Sequence, residues 1–74
     1  MTYVDITFYT IDIATEFAKV LSEKDREEEF TRKSSLSFYV AFPTEADYED
    51  CKAEVEELMW HLGFEEGTDY YFNN

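Results

Sequence analysis

With 74 residues the chain has room for one domain and a small hydrophobic core. Its 45% hydrophobic and 19% aromatic content excludes a disordered acidic tail, and a single cysteine excludes an internal disulfide. Eighteen Asp and Glu against 6 Lys and Arg give a formal net charge of −12, which repels nucleic acid and anionic lipid as direct ligands.

The opening MTYVDITFYT has no basic leader followed by an apolar run, and no segment approaches the roughly 20 apolar residues that span a bilayer. A reducing cytoplasm, that of the host cell if the chain is phage-encoded, is the expected location. From Tyr3 to Thr10 the residues alternate, with Val4, Ile6 and Phe8 on one side and Tyr3, Asp5, Thr7 and Tyr9 on the other. This is the pattern of a half-buried strand. Thr10 or Asp12 can cap the next element, where Ile13, Phe17, Val20, Leu21 and the stem of Lys24 keep helical spacing to about Ser22. The charged run Asp25 to Glu29 reads as a solvated helix end and turn.

Leu36, Phe38, Val40 and Phe42 alternate with Ser35, Ser37, Tyr39 and Ala41, a second strand that Pro43 stops. A shorter partner near Glu28 to Arg32, turning through Lys33 and Ser34, would keep Phe30 out of a polar loop. Thr44 and Asp47 form a weakened capping box for a helix running to Leu62, with Gly63 as a left-handed cap and Phe64 folding back on the last turn. After a turn at Glu65 to Gly67, Thr68 to Phe72 is the last strand. The expected fold is α+β, an antiparallel sheet with two helices on one face in the ferredoxin-like order βαββαβ, or βαβαβ if the short second strand is absent.

The stretch Thr44 to Leu62 organises the rest. At about 100° per residue, Tyr48, Cys51, Val55, Leu58, Met59 and Leu62 share one sector, which makes Cys51 a packed thiol. Glu45, Asp47, Glu49, Asp50, Glu54, Glu56 and Glu57 lie outside it, with only Lys52 to offset them. Seven carboxylates on a helix of roughly 28 Å come at about one per 4 Å, comparable with the ~3.4 Å phosphate spacing along one DNA strand. Acidic helix faces often serve only solubility, but a small domain needs a net charge of magnitude only about 2 to 8 for that. The excess opposes compaction and so points to a use.

Two further features suggest contact surfaces. Trp60 lies away from the apolar sector beside Ala46 and Ala53, flanked by Glu49, Glu56 and Glu57, like an anchor in a polar rim. A sheet covered on one side also leaves Tyr3, Tyr9, Tyr39 and one or two of Tyr70, Tyr71 and Phe72 facing water, so Tyr3, Tyr9, Tyr39 and Tyr71 are candidates for self-association into a homodimer. Catalytic signals are absent. His61 with Glu57 makes a poor zinc pair, the Asp47, Glu49, Asp50 cluster lacks the glycine of a calcium loop, and both glycines are explained by turns. No metal, cofactor or catalytic residue is expected.

The acidic stretch TEADYEDCKAEVEEL, the aromatic content and the absence of a catalytic motif resemble phage-encoded nucleic-acid mimics, the anti-CRISPR and anti-restriction inhibitors, and also immunity proteins of nuclease toxins. The layout and the closing GTDYYF resemble, more distantly, acidic ferredoxin-like regulators of ribonucleases. The first resemblance implies a non-enzymatic inhibitor whose partner is a basic nucleic-acid-binding protein. Read from the residues, its contact set would be Asp47, Glu49, Asp50, Glu54, Glu56 and Glu57, extended by Glu65, Glu66 and Asp69 and anchored by Trp60. The competing expectation is a self-associating structural or ligand-regulatory domain that uses the tyrosine face.

Overall fold

The structure, a computed structural model, describes residues 1–43 and 45–73. In chain order it contains β1 (Thr2–Phe8), α1 (Ile11–Glu23), β2 (Thr31–Arg32), β3 (Ser37–Phe42), α2 (Tyr48–Leu62) and β4 (Tyr70–Phe72). The strands form one antiparallel sheet in the order β2-β3-β1-β4, which is an α+β fold of the ferredoxin-like type. The short second strand is present, so the six-element order holds.

The alternation read from β1 sets the layers. Val4, Ile6 and Phe8 are buried and Tyr3, Asp5 and Thr7 lie on the open face; Tyr3 to Thr7 run in register with Ala41 back to Ser37 of β3, and Phe8 pairs with Tyr70 of β4. Helix α1 starts where the Thr10 side chain accepts a hydrogen bond from the Ile13 N–H, and it buries Ala14, Phe17 and Leu21. Phe17 sits at the centre of the core, with ring centroids 4.9 Å from Phe8, 4.9 Å from Phe38, 5.2 Å from Phe30 and 5.5 Å from Phe64. No charged residue is buried among the described residues.

Both helices end in paired main-chain bonds. At α2, Gly63 has φ 91°, its N–H donates to the Trp60 carbonyl and that of Phe64 to Met59, which carries the buried Phe64 ring back onto the core. At α1 the equivalent position is Asp25 at φ 60°, with bonds from Asp25 N–H to Ser22 and from Arg26 N–H to Leu21. An aspartate therefore occupies the left-handed place that glycine fills most cheaply.

Two expected boundaries are corrected. Helix α2 begins at Tyr48 with Asp47 as N-cap and no side-chain cap bond, while Thr44, the other half of the expected capping box, lies outside the described residues. The Thr2 hydroxyl donates to the carbonyl of Ala46, just before the N-cap Asp47, and so ties the start of α2 to the start of β1. Glu45 and Asp47 are thus off the helix, whose 15 residues span about 22 Å. The last strand begins at Tyr70 and not at Thr68, because residues 65–69 form a self-bonded turn. Tyr70 is buried and Tyr71 faces out, which fixes the alternation the sequence left open there.

Candidate acidic groove beside the edge strand

Helix α2 turns Cys51, Val55 and Met59 to the core and leaves five carboxylates outside: Glu49, Asp50, Glu54, Glu56 and Glu57. They do not form one row. Glu56 and Glu57 face the turn that follows the helix, and together with Glu65 and Glu66 they wall a groove of about 390 Å³. Trp60, Phe64, Tyr70 and Ala53 supply its apolar surface. Asp50 and Glu54 lie on the opposite flank, along a hollow of about 270 Å³ that Phe42, Ala46 and Cys51 complete. Of the expected contact set, therefore, Glu56, Glu57, Trp60, Glu65 and Glu66 come together. Asp50 and Glu54 form a second group, Glu49 occupies the first helical turn, and Asp47 precedes the helix.

The second wall of the groove is preorganised. Asp69 accepts a hydrogen bond on its carboxylate from the Glu65 N–H at 2.9 Å and donates its own N–H to the Glu65 carbonyl at 2.8 Å. Gly67, at φ 88°, donates to the Tyr70 carbonyl at 2.8 Å, and the Tyr9 N–H ties the turn to β1 through the Asp69 carbonyl. Asp69 is thus committed to shaping the turn, which leaves Glu65 and Glu66 as the exposed pair.

The acids of α2 are not neutralised by their own chain. Among the described residues the ion pairs are Arg26–Glu29, Lys33–Asp5 and the exposed His61–Glu57 contact at 3.8 Å, so no Lys or Arg pairs with an α2 carboxylate. Lys52, the only Lys or Arg of α2, lies over the Phe72 ring at 5.1 Å. Arg32 is likewise occupied, bonded to the Ser34 and Ser35 carbonyls and placed over Phe38. Arg32 and Lys33 lie at the β2 edge and Tyr70 on the β4 edge, so these two basic residues and the groove occupy opposite margins of the sheet. Glu65 and Glu66 also follow the C-terminus of α2, where the helix dipole disfavours negative charge. Stability alone would not place carboxylates there.

Trp60 stands 75% exposed at the rim, the largest exposure among the large hydrophobic side chains described. Tyr70 is its opposite, 1% exposed, with its ring against Phe8 and Phe72. Burial above all, then the charges of Glu66 and Glu56, push its phenol up to about 12. Burial followed by the charges of Glu54, Asp50 and Asp47 likewise raises the Cys51 thiol, which keeps it protonated. Tyr70 and Phe64 were not singled out by sequence reasoning as groove residues. The alternation of β4, anchored by the outward Tyr71, is the signal that could have found Tyr70.

The open sheet face has a different character. Tyr3 and Tyr39 meet edge to face at 5.7 Å at one end, and Tyr9 and Tyr71 meet at 5.2 Å at the other. Between them lies a polar strip in which Thr7 bonds Ser37 and Asn73, and Asp5 pairs with Lys33. The tyrosines form two separate patches and not one continuous apolar surface.

Among the described residues no group of three or more His, Cys, Asp or Glu is placed to hold a metal ion, and no helix is long and apolar enough to cross a membrane. Comparison of the chain with protein-family models, with curated proteins and with solved structures finds no match.

Proposed function

We propose that the protein is a non-enzymatic inhibitor or regulator that binds a basic, nucleic-acid-binding protein, such as a host defence nuclease or effector complex, by presenting carboxylates where that protein expects phosphates. The observation that carries this reading is the set of exposed, unneutralised carboxylates around α2 and the following turn, next to a tryptophan left in solvent. These carboxylates divide between two flanks of α2, so what they offer a partner is a density of negative charge and not a single row at phosphate spacing. Charge matching would speed encounter and orient the partner, and the basic β2 margin would face away from it.

The test is a pull-down from cell lysate at graded salt, followed by displacement of the bound protein with duplex DNA or RNA. The expected result is a basic protein that is released by salt and by nucleic acid and is no longer captured by the double variant Glu54→Lys, Glu57→Lys. Capture that ignores this charge reversal would sink the proposal. A second reading, self-association through the open face, draws on the two exposed tyrosine pairs. The polar strip between them and the net charge of −12 weigh against it.

A further inference from the structure

The walls and floor of the groove make different demands on an occupant. Four carboxylates, from Glu56, Glu57, Glu65 and Glu66, line it with no Lys or Arg among the described residues paired to any of them. An apolar occupant would strip water from these charges and give nothing in return. A metal ion would need ligands that converge, and these do not. Of these, an organic cation is the occupant such walls would accept.

Tyr70 narrows the choice. More than nine-tenths of this side chain is buried, it lines the groove, and no described residue hydrogen-bonds its hydroxyl. The hydroxyl nevertheless is not sealed off, since no buried side-chain oxygen is left unsatisfied among the described residues. Glu56 and Glu66 line the same groove as Tyr70. A neutral phenol there can accept a bond from a cationic donor while donating its own proton to a neighbouring carboxylate. With Trp60 it gives the groove one aromatic face in solvent and one polar aromatic tip within.

A planar, weakly hydrated cation with several diverging N–H groups fits carboxylates on two walls, a phenol oxygen on the floor and an indole at the rim. A lysine ammonium, compact and strongly hydrated, satisfies fewer of these partners and stacks less well on aromatic rings. We propose that the groove binds an arginine side chain of the partner, its guanidinium held between Glu56 and Glu66, donating to the Tyr70 hydroxyl and packed against Trp60. This rests on the reading of a basic protein partner and names what that partner inserts.

Trp60 is the only tryptophan, so its fluorescence reports on the groove directly. The full chain is titrated at low salt with a blocked glycine-serine peptide carrying one arginine, and with matched lysine and citrulline peptides. The expected result is a saturable fluorescence change with the arginine peptide, about tenfold weaker binding of the lysine peptide, and no response to citrulline. In Tyr70→Phe, with an unaltered circular dichroism spectrum, arginine-peptide binding should fall about tenfold. The double variant Glu56→Gln, Glu66→Gln should abolish it. Equal response to arginine and lysine in the parent chain overturns the assignment without any variant needing to fold, and so does a Tyr70→Phe protein that binds like the parent. Either outcome leaves the charge-based inhibitor reading standing, whereas capture unaffected by Glu54→Lys, Glu57→Lys overturns that reading whatever the peptides do.

Discussion

If the α2 carboxylates are present for a partner and not for the fold, reversing one of them should strengthen the fold and weaken binding together. Glu54 is the sharpest position. It is exposed, follows Asp50 by four residues and precedes Glu57 by three, so it has like charges on both helical neighbours and no Lys or Arg within pairing distance among the described residues. Each such repulsion costs about 0.2–0.5 kcal/mol, and Glu54→Lys turns two repulsions into two attractions. The gain sums to about 1 kcal/mol, since Lys and Glu have similar helix propensity and no core packing is lost. For a domain this small, that raises Tm by about 4–8 °C at low salt. In about 1 M NaCl, where screening reaches to within ~3 Å, most of the gain should vanish. Thermal denaturation by circular dichroism at both salt concentrations measures it. A variant less stable than the parent, or one whose gain ignores salt, would show that Glu54 contributes to the fold and would remove the argument that this charge serves binding.

Other perturbations probe separate parts of the structure. Spectrophotometric titration of the 6 tyrosines should show a late-titrating group near pH 12, and Tyr70→Phe should remove it. Because the folded pKa lies above the ordinary value of 10, the stability contributed by protonated Tyr70 is complete below pH 10 and is lost as pH rises towards 12, which alkaline unfolding of the parent and of Tyr70→Phe would compare. Asp25→Gly should stabilise by about 0.5–1 kcal/mol by relieving the left-handed backbone at the end of α1, and an unchanged denaturation midpoint would contradict that account. Sedimentation at low salt should give a single species of 8.8 kDa, because the tyrosine pairs are split by a polar strip; a dimer abolished by Tyr39→Ala would favour the open face as the contact surface instead.

The layers of the fold were legible because their signals are local. Val4, Ile6 and Phe8 alternate cleanly, and Gly63 marks its left-handed cap with no competing choice. Less legible were the boundaries. Thr44 and Asp47 have the spacing of a cap, but α2 starts at Tyr48, with Asp47 as its N-cap and no side-chain bond closing the cap. The candidate site was legible as composition but not as geometry. Periodicity separates the outer face from the buried one, yet it does not say that Glu56 looks toward the returning turn while Glu54 looks the other way. Tyr70 was obscured because the bonds that turn residues 65–69 onto β1 decide which of two adjacent tyrosines points inward.

The burden of charge and the concentration of aromatic residues belong to the same solution. A chain of this length with net charge −12 works against its own compaction, and it has no disulfide and, among the described residues, no buried ion pair to hold it. What holds it is a core in which Phe8, Phe17, Phe38, Phe64 and Tyr70 interlock, mostly edge to face; such pairs contribute about 0.5–1.5 kcal/mol each beyond burial. The same rings bring the groove into register: Phe64 and Tyr70 are at once core residues and groove floor, fixed between α2 and β4. Loosening the core would therefore widen the groove and separate its acidic walls, so Phe64 is the position where fold stability and partner binding cannot be separated. Glu54, on the far flank, is where they can.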